Sequence, residues 1–517
     1  MPEDAHTAAL LQDAARHAGA GRFAPAAAAY QRVLQHNPAH PLALYGLGMV
    51  HASLGRTRMG IRLLERAVAA DPKKIAFRIS LATLLRQDSR GDDALDHLHE
   101  AARLRPDDPG VHAALASLHE HIHRLDDARR SATRALSLDP RQPDAALVLA
   151  RLDRRAGELA AAGERIEALI RSEPPADSLC LAHFELGRVR HAQGDYESAS
   201  RAFVTGNAMI SASPPALATD RQASYRAIEQ VRRITAEQVR RWGQGPPPGP
   251  EPSPAFVVGF PRSGTTLTGQ ILGAHPQATL IEEKPLLPSV IARLYAMFPD
   301  RRPLARMLDD LTPEQILDLR RTYFATARRH ADWRGEGLLV DKHPMNIVYL
   351  GLVNRVFPDA SVIVVIRDPR DVCLSCFMQG FQPNTDMIHF FALDTAARYC
   401  DAVMRLYMDQ RGVLTLRTLE ARYEQTTADF ESQAELLIES VGLPWDPGVL
   451  EFHTSARARY VATPSYEAVT RPVNRAAVGR WRRYRHLLEP VRPILDAVAR
   501  DLGYDDVSDD SADDAEP

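Results

Sequence analysis

The N-terminal part of the chain is interrupted by prolines at a constant interval. Five prolines, each 34 residues after the one before, follow a polar or charged residue; they are Pro38, Pro72, Pro106, Pro140 and Pro174. Small or polar residues recur at the same interval between them, at Gly21, Gly55, Ser89, His123 and Gly157. Proline and glycine end helices, so each interval predicts two short helices. A chain broken this regularly is expected to fold as stacked units rather than around one central core.

A period of 34 residues with two helices per unit is that of the tetratricopeptide repeat. Five units keep the phase, and the segment from Leu186 to Tyr196 predicts a sixth pair. Small residues expected where helices approach closely are Ala67, Ala101 and Ala135. Residues 1–212 are therefore predicted to form an all-α solenoid with a concave face. That face is expected to bind a protein or peptide; the alternative is that the array only caps, rigidifies or dimerises the protein, giving a homodimer.

Residues 213–254 are predicted to separate this array from a second domain. Residues 213–242 have a helical pattern, whereas 243–254 are too rich in proline and glycine for a helix or a central strand. We expect a semi-rigid linker there. Because 517 residues exceed one ordinary core, a second domain is predicted over 255–505, and the acidic residues 506–517 are predicted to be disordered.

An apolar, strand-like run leads into a phosphate-binding loop at residues 255–266. The run ends at Gly259, and Gly264 to Thr266 follow at the spacing of a loop whose backbone N–H groups surround a phosphate at a helix N-terminus. A nucleoside triphosphatase has Lys where this chain has Thr265, and here the cation is Arg262, inside the loop. The ligand is therefore predicted to present one 5′-phosphate group, which disfavours a phosphate-loop kinase.

The string Pro-Arg-Ser-Gly-Thr-Thr at Pro261 to Thr266 resembles the 5′-phosphosulfate loop of the sulfotransferases, and of their tyrosylprotein branch in particular. The donor of that family is 3′-phosphoadenosine 5′-phosphosulfate (PAPS). The resemblance implies a C-terminal α/β domain, related to the phosphate-loop proteins, with a parallel sheet. It also implies that PAPS is bound by Arg262, Ser263, Gly264, Thr265 and Thr266. No clustered set of His, Cys and carboxylate residues predicts a metal.

Two adjacent carboxylates end the next predicted strand, residues 279–283. Carboxylates repel phosphates, so one of Glu282 and Glu283 is better suited to removing a proton from an acceptor hydroxyl. In the tyrosylprotein sulfotransferases the second Glu of such a pair is the catalytic base, and Glu283 is the matching residue. The alternative is a solvated strand end that pairs with Lys284.

A lysine ends a third predicted strand, in a chain that has only four lysines. An ammonium group is a compact charge that can follow a moving oxygen. The family has Lys-Asp-Pro here, with the Lys at the sulfuryl bridge, and Lys342-His343-Pro344 keeps the Lys and the Pro. The resemblance implies that Lys342, with Arg262, stabilises the leaving phosphate oxygen. His343 is then expected to pack nearby rather than to act as the base.

Residues 361–366 form the most apolar predicted strand and are expected inside a parallel sheet. Arg367 follows that strand, and Ser375 lies about two helical turns further on, so both side chains can converge on one phosphate. In sulfotransferases an Arg and a Ser at this spacing bind the donor 3′-phosphate. The residues 346–357 are predicted as an amphipathic helix, and 413–417 as another strand.

Three later residues match donor contacts of the family. They are Tyr423, from a Tyr-Glu pair, and Ser465 and Arg471, from a loop that closes over the donor before Pro-Val-Asn. An arginine cluster around Trp481 follows, comprising Arg480, Arg482, Arg483 and Arg485. It is compatible with an acidic substrate and equally with a solvated helix.

Composition limits the remaining functions. The formal charge is −3, so no overall field favours nucleic acid or an anionic membrane. Four cysteines, the lack of an apolar run of membrane-spanning length and the lack of a signal-peptide pattern predict a cytoplasmic protein with reduced thiols. The secretory enzymes that the chain resembles have a membrane anchor and disulfides, and this contrast implies a bacterial protein. The spacing of Cys373 and Cys376 invites a redox role, but two buried thiols are the preferred interpretation.

The sequence thus predicts a PAPS-dependent sulfotransferase joined to tetratricopeptide repeats. The acceptor is expected to be protein tyrosine, with a glycan or a small molecule as the alternative. A nucleotide-binding repeat scaffold without catalysis is a further alternative, although Glu283 and Lys342 are both present. The family has Thr and then Arg after the catalytic Glu, the Arg contacting acidic peptide, whereas this chain has Lys284 and Pro285.

Overall fold

The protein is described by a computed structural model that covers residues 5–88, 90–242, 249, 251–300, 302–331, 333–454 and 472–504. The chain divides into two compact units, Met1–Thr219 and Asp220–Pro517. The predicted linker residues 243–248 and 250, Ser465, Arg471 and the acidic tail lie outside the described residues.

The described part of the first unit is entirely helical. Its helices are α1 (Ala5–Gly19), α2 (Phe23–His36), α3 (Pro41–Ser53), α4 (Thr57–Ala70), α5 (Ile75–Gln87), α6 (Gly91–Leu104), α7 (Pro109–His121), α8 (Leu125–Leu138), α9 (Pro143–Arg155), α10 (Leu159–Arg171), α11 (Ala176–Ala192), α12 (Tyr196–Ser211) and α13 (Pro214–Ala218). Helices α1 to α12 form six consecutive pairs, so the predicted sixth pair is confirmed.

The turns within the pairs show why the 34-residue interval exists. The backbone enters the left-handed region at Gly21, Gly55, His123, Gly157 and Gly194, with φ between 59° and 84°. Four of the five are glycine, which adopts this conformation without a steric penalty. Ser89 lies outside the described residues. The tetratricopeptide solenoid predicted from the repeat is confirmed, and Ala67, Ala101 and Ala135 are fully buried as expected.

The second unit surrounds a parallel sheet. Its strands are β1 (Ala255–Gly259), β2 (Ala278–Glu282), β3 (Leu338–Lys342), β4 (Ser361–Ile366) and β5 (Arg417–Arg422). Its helices are α14 (Ala223–Arg232), α15 (Ala236–Trp242), α16 (Thr265–Ala274), α17 (Leu286–Met297), α18 (Leu304–Asp309), α19 (Pro313–Ala327), α20 (Leu350–Val356), α21 (Pro369–Phe377), α22 (Leu393–Gln410), α23 (Tyr423–Ala428), α24 (Phe430–Ser440), α25 (Arg485–Leu488) and α26 (Arg492–Asp501). Short 3₁₀ helices span Pro344–Tyr349, Met387–Phe391, Pro447–Glu451, Arg480–Tyr484 and Glu489–Val491.

The strand order is β2-β3-β1-β4-β5, with every neighbouring pair parallel. Strand β4 is buried along its whole length between β1 and β5, as its apolar sequence predicted. In the register, Gly259 pairs with Val365, and Lys342 pairs with Glu282 on one side and Val257 on the other. The carboxyl ends of the strands therefore meet at one edge, which is where open parallel sheets bind ligands.

Two predicted elements were wrong in extent. Strand β5 begins at Arg417 rather than Val413, because residues 413–416 form the turn after α22, in which Val413 and Leu414 donate to the carbonyl of Gln410. As an edge strand with mostly polar, exposed residues, β5 lacks the apolar run that marks an interior strand. Residues 346–357 begin in a 3₁₀ turn and become α20, which is buried on nearly all sides and not amphipathic. The helical pattern predicted over 213–242 is present as three short helices, α13, α14 and α15.

Candidate functional site

The loop between β1 and α16 requires unusual backbone at three positions. Gly264 has a φ of +112°, and a Cβ added there would lie 2.6 Å from Cδ2 of Tyr423. A Cβ at Gly259 would lie 2.5 Å from the carbonyl oxygen of Val365. Arg262 has a φ of +71°, which is rare for a residue with a side chain. This tight backbone leads into the N-terminus of α16. In phosphate-binding loops the same arrangement lets backbone N–H groups at a helix start surround a phosphate.

A network of polar contacts joins the loop to the end of β4. Arg262 Nε donates to Ser375 Oγ at 3.1 Å, and Arg367 Nη1 donates to the carbonyl oxygen of Arg262 at 3.2 Å. The guanidinium of Arg367 lies 4.6 Å from the centre of the Tyr423 ring, a cation–π contact. Arg367, Ser375 and Tyr423, which come from three elements, are therefore brought together with Arg262.

Two buried polar atoms of this network have no hydrogen-bond partner among the described residues. They are Ser263 Oγ and Arg367 Nε. Buried polar atoms are normally paired, because leaving one unpaired costs about 1–3 kcal/mol. An anion with several acceptor oxygens would satisfy groups of this kind.

Glu283 stands where β2 ends, in a strained conformation. Its φ is +50°, and its backbone N–H donates to the carbonyl oxygen of Lys342 at 2.8 Å. Lys342 is fully buried, and its Nζ lies 2.7 Å from Glu283 Oε1 and 3.2 Å from Glu282 Oε1. Nζ is also 3.5 Å from Thr266 Oγ1, at the start of α16. One ammonium group thus connects both carboxylates to the phosphate loop.

The electrostatics favour an ionised Glu283. Burial by itself raises the pKa of this carboxyl, but the attraction and hydrogen bond of Lys342 outweigh it, with smaller contributions from His343 and Arg262, so that the pKa is lowered. Burial lowers the pKa of His343, which favours its neutral form. Glu283 can therefore accept a proton, and its side chain is 39% exposed.

These residues line one cavity of about 470 Å³. The predicted residues that line it are Arg262, Gly264, Thr265, Thr266, Glu283, Arg367, Ser375 and Tyr423. Ser263 and Lys342 do not line it, since both are buried directly behind its wall. Ser465 and Arg471 lie outside the described residues.

Sequence reasoning missed two charged groups of the cavity wall. Arg480 lines the cavity near Arg367, and burial together with Arg367 lowers its pKa. It had been predicted only as one member of an arginine cluster. Asp386 lines the cavity from a loop after α21, where its Oδ1 accepts a hydrogen bond from Tyr399 at 2.6 Å. A single Asp in a polar loop carries no sequence signal, since only tertiary contacts bring it to the site.

The cysteines play no part in the cavity. Cys373, Cys376 and Cys400 are buried and reduced, and burial raises the pKa of Cys376. Two buried thiols were the preferred interpretation of the Cys373 and Cys376 spacing.

Over the described ranges, no group of three His, Cys, Asp or Glu side chains could hold a metal ion. Within those same ranges, none of the helices combines the length and the apolar character needed to cross a bilayer.

Fold and site together define an α/β domain with a parallel five-stranded sheet and a loop that resembles a phosphate loop. Residues 254–447 match the profile of the sulfotransferase family. Tetratricopeptide repeat profiles match residues 14–75, 53–109 and 79–145. The chain therefore combines tetratricopeptide repeats with a sulfotransferase-family domain.

Similar proteins are found in several organisms. An uncharacterized protein of Aquifex aeolicus (strain VF5) is 29% identical over 340 residues, which cover 64% of this chain and 43% of that protein. Protein-tyrosine sulfotransferase 2 of Gallus gallus is 25% identical over 267 residues, which cover 48% of this chain and 69% of that enzyme. Among solved structures, the sulfotransferase domain of the Synechococcus PCC 7002 olefin synthase matches with a TM-score of 0.36 at 22% identity, covering 51% of this chain and 98% of that domain.

Proposed function

We propose that the chain transfers a sulfuryl group from PAPS to the hydroxyl of a protein tyrosine and releases adenosine 3′,5′-bisphosphate. One observation carries the proposal. The phosphate loop, the Arg367 and Ser375 pair and the ionised Glu283 line the same cavity. A donor with two separate phosphate groups and an acceptor with a proton to lose require these three features together.

The donor-binding groups are suited to the two phosphates of PAPS. The N–H groups at the start of α16, together with Arg262, would hold the 5′-phosphosulfate. Arg367 and Ser375 would hold the 3′-phosphate, and the Tyr423 ring lies against Arg367. The unpartnered Nε of Arg367, a residue that lines the cavity, supports an anionic occupant, since it has a donor to give. We also assign Ser465 and Arg471 to this donor site.

The proposed reaction is an in-line displacement at sulfur. Glu283 removes the proton of the acceptor hydroxyl as its oxygen attacks, so that a new O–S bond forms. The bond between sulfur and the bridging oxygen of the 5′-phosphate breaks, and the electron pair goes to that oxygen. Arg262, Lys342 and the loop N–H groups would stabilise the charge that develops there. No metal is needed in this scheme.

The repeats support an acceptor or partner that is a polypeptide. Tetratricopeptide repeats generally mediate protein interactions, and helices α5, α7 and α9 line a second cavity of about 400 Å³. Its wall is mixed, with Arg86, Arg151 and Asp144 among apolar side chains. We propose that an extended protein segment binds there and that the protein acts in a bacterial cytoplasm. Domain limits of 1–212, 213–254 and 255–505 are part of the same proposal.

A transfer assay tests the proposal. Radiolabelled PAPS is offered with tyrosine peptides and with a glycan panel, while binding of adenosine 3′,5′-bisphosphate is followed by calorimetry. Glu283→Gln should reduce tyrosine labelling by about 10²- to 10⁴-fold, the usual contribution of a general base, with nucleotide binding retained. Glu282→Gln is the matched control, since Glu282 contacts Lys342 but does not line the cavity, and it should lose far less activity.

The outcomes separate the alternatives. Labelling confined to glycans would replace tyrosine as the acceptor while keeping the donor assignment. Nucleotide binding without labelling of either panel would favour a scaffold without catalysis. Absence of nucleotide binding would refute the PAPS assignment itself.

A further inference from the structure

The cavity wall around Glu283, here called the acceptor side, differs in charge from the wall around the phosphate loop, here called the donor side. Three cations of the described part of the chain line the cavity. Arg262 lies in the loop, Arg367 at the end of β4 and Arg480 in the 3₁₀ helix Arg480–Tyr484. The other lining residues whose side chains can carry charge near neutral pH are Glu283, His343 and Asp386. Among the described residues of the wall, charge is therefore divided between a basic group and an acidic group.

The acidic group is held in place by a rigid surrounding. Tyr399 donates to Asp386 Oδ1 at 2.6 Å, and its fully buried ring packs against Phe260, the first loop residue after β1, with 5.9 Å between ring centres. His343 lies within electrostatic reach of both Glu283 and Asp386, each of which acts to raise its pKa. Asp386 thus shares the cavity wall with the proposed base. Burial raises the pKa of Asp386, whereas the Tyr399 hydrogen bond and the nearby His343 favour its ionised form, and Tyr399 ties it to the core.

Apolar side chains also line the cavity. Met345, Phe381 and Met387 line the cavity beside His343 and Asp386, and the Phe381 ring lies 5.5 Å from that of Phe390. Such a wall suits an acceptor with an aromatic ring, because methionine and aromatic side chains pack well against rings. Lys284 follows Glu283 in the chain but does not line the cavity.

From this arrangement we infer that Asp386 selects a phenolic acceptor that carries a positive charge near its hydroxyl-bearing ring, and that it disfavours anionic acceptors. This inference rests on the proposed function and narrows its acceptor. The Asp386 carboxylate repels an acidic group and attracts an ammonium or guanidinium group, whereas Lys342, at 2.7 Å, offsets the charge of Glu283. A tyrosine next to Lys or Arg in a peptide and a free phenolic amine share this chemistry.

The test measures acceptor binding separately from transfer. Protein loaded with adenosine 3′,5′-bisphosphate is titrated with tyramine, with N-acetyltyrosine amide and with 4-hydroxyphenylacetate, which are a cation, a neutral molecule and an anion of similar shape. Wild type should bind tyramine at least about tenfold more tightly than 4-hydroxyphenylacetate, the size of effect expected from one charge pair near a protein surface. Parallel titrations with tyrosine peptides flanked by Lys or by Asp distinguish a peptide source from a free amine.

Asp386→Asn removes the charge while keeping an oxygen that can accept from Tyr399. The tyramine to 4-hydroxyphenylacetate ratio should then fall towards one, a change that a purely structural role of Asp386 would not produce. Asp394→Asn is the matched control, because Asp394 is exposed and paired with Arg398 outside this cavity. It should leave the ratio unchanged.

Three results would overturn the inference: equal or tighter binding of the anion by wild type, a ratio that Asp386→Asn does not change, and no binding of any of the phenols at millimolar concentration. Transfer from labelled PAPS is measured on the same samples. Charge-selective binding without transfer would keep the inference and refute the proposed function. Transfer that favours the anionic acceptor would refute the inference and keep the proposed sulfuryl transfer.

Discussion

Lys342 Nζ lies 2.7 Å from Glu283 Oε1, and the two residues come from strands β3 and β2, which are neighbours in the sheet. The ammonium group is fully buried, whereas the carboxylate reaches the cavity. This pair couples the charge state of the proposed base to an ammonium group that does not itself line the cavity.

Removal of the ammonium group should shift the acid limb of the pH profile. In wild type the pKa of Glu283 is lowered from its ordinary 4.5, so activity should fall only below that value as the carboxylate becomes protonated. In Lys342→Met the effect of burial on the pKa of Glu283 would no longer be outweighed by Lys342, and the acid limb of kcat/KM should move to higher pH. Lys284→Met is the control and should leave the limb in place. An unshifted limb in Lys342→Met would contradict the coupling.

Recognition of the 3′-phosphate should depend on Arg367. Arg367→Gln should weaken the binding of adenosine 3′,5′-bisphosphate by about 10- to 100-fold, because a charged hydrogen bond contributes about 1.5–3 kcal/mol. Binding of AMP, which lacks the 3′-phosphate, should change little. Calorimetry with both nucleotides gives the comparison, with Arg398→Gln as a surface control. Equal losses for the two nucleotides would place Arg367 elsewhere than at the 3′-phosphate.

A side chain at Gly264 should disrupt the loop. Alanine there would combine a φ of +112° with a Cβ only 2.6 Å from the Tyr423 ring. Gly264→Ala should lower nucleotide affinity at least about tenfold and reduce thermal stability, since such strain costs roughly 1–3 kcal/mol. Gly412→Ala, where a Cβ would meet nothing within 4 Å, is the matched control. Full nucleotide affinity in Gly264→Ala, measured by calorimetry, would show that the loop tolerates the side chain.

The buried carboxyl of Asp341 should make stability depend on pH. Burial raises its pKa to about 7, while an unfolded Asp has its ordinary value of 3.8. The folded state therefore binds the extra proton between these values, and the unfolding free energy should fall as pH rises from about 4 to about 7. In wild type the Tyr323 hydroxyl donates to Asp341 Oδ2 at 2.9 Å. Asp341→Asn keeps an oxygen that accepts this hydrogen bond, and the Asn side chain does not titrate.

The stability of Asp341→Asn relative to wild type should consequently increase from pH 4 to pH 8, by at most about 4 kcal/mol. Urea unfolding at several pH values measures the difference. Asp409→Asn changes an exposed carboxylate that lies 3.6 Å from Arg232 and serves as the control. A difference that stays constant with pH would show that Asp341 does not titrate in this range.

Local sequence determined the repeats and the phosphate loop. A 34-residue period needs only local steric rules, because proline and glycine end helices wherever they occur, and the left-handed turns at Gly21, Gly55 and Gly157 follow directly. The loop from Gly259 to Thr266 is equally local. The interior strand β4 was predictable because a strand buried on both faces has a continuous apolar sequence.

Tertiary structure alone decided which charged groups meet. Lys342 is 59 residues from Glu283, and the order β2-β3-β1 makes them neighbours. Asp386 and Arg480 reach the cavity from a loop and a 3₁₀ turn, where no periodic pattern marks a side chain as inward-facing. Edge strand β5 was misplaced for a related reason, since its pairing with β4 depends on backbone hydrogen bonds and not on an apolar run. Local patterns specify elements, whereas the distances between side chains of different elements depend on strand order and packing.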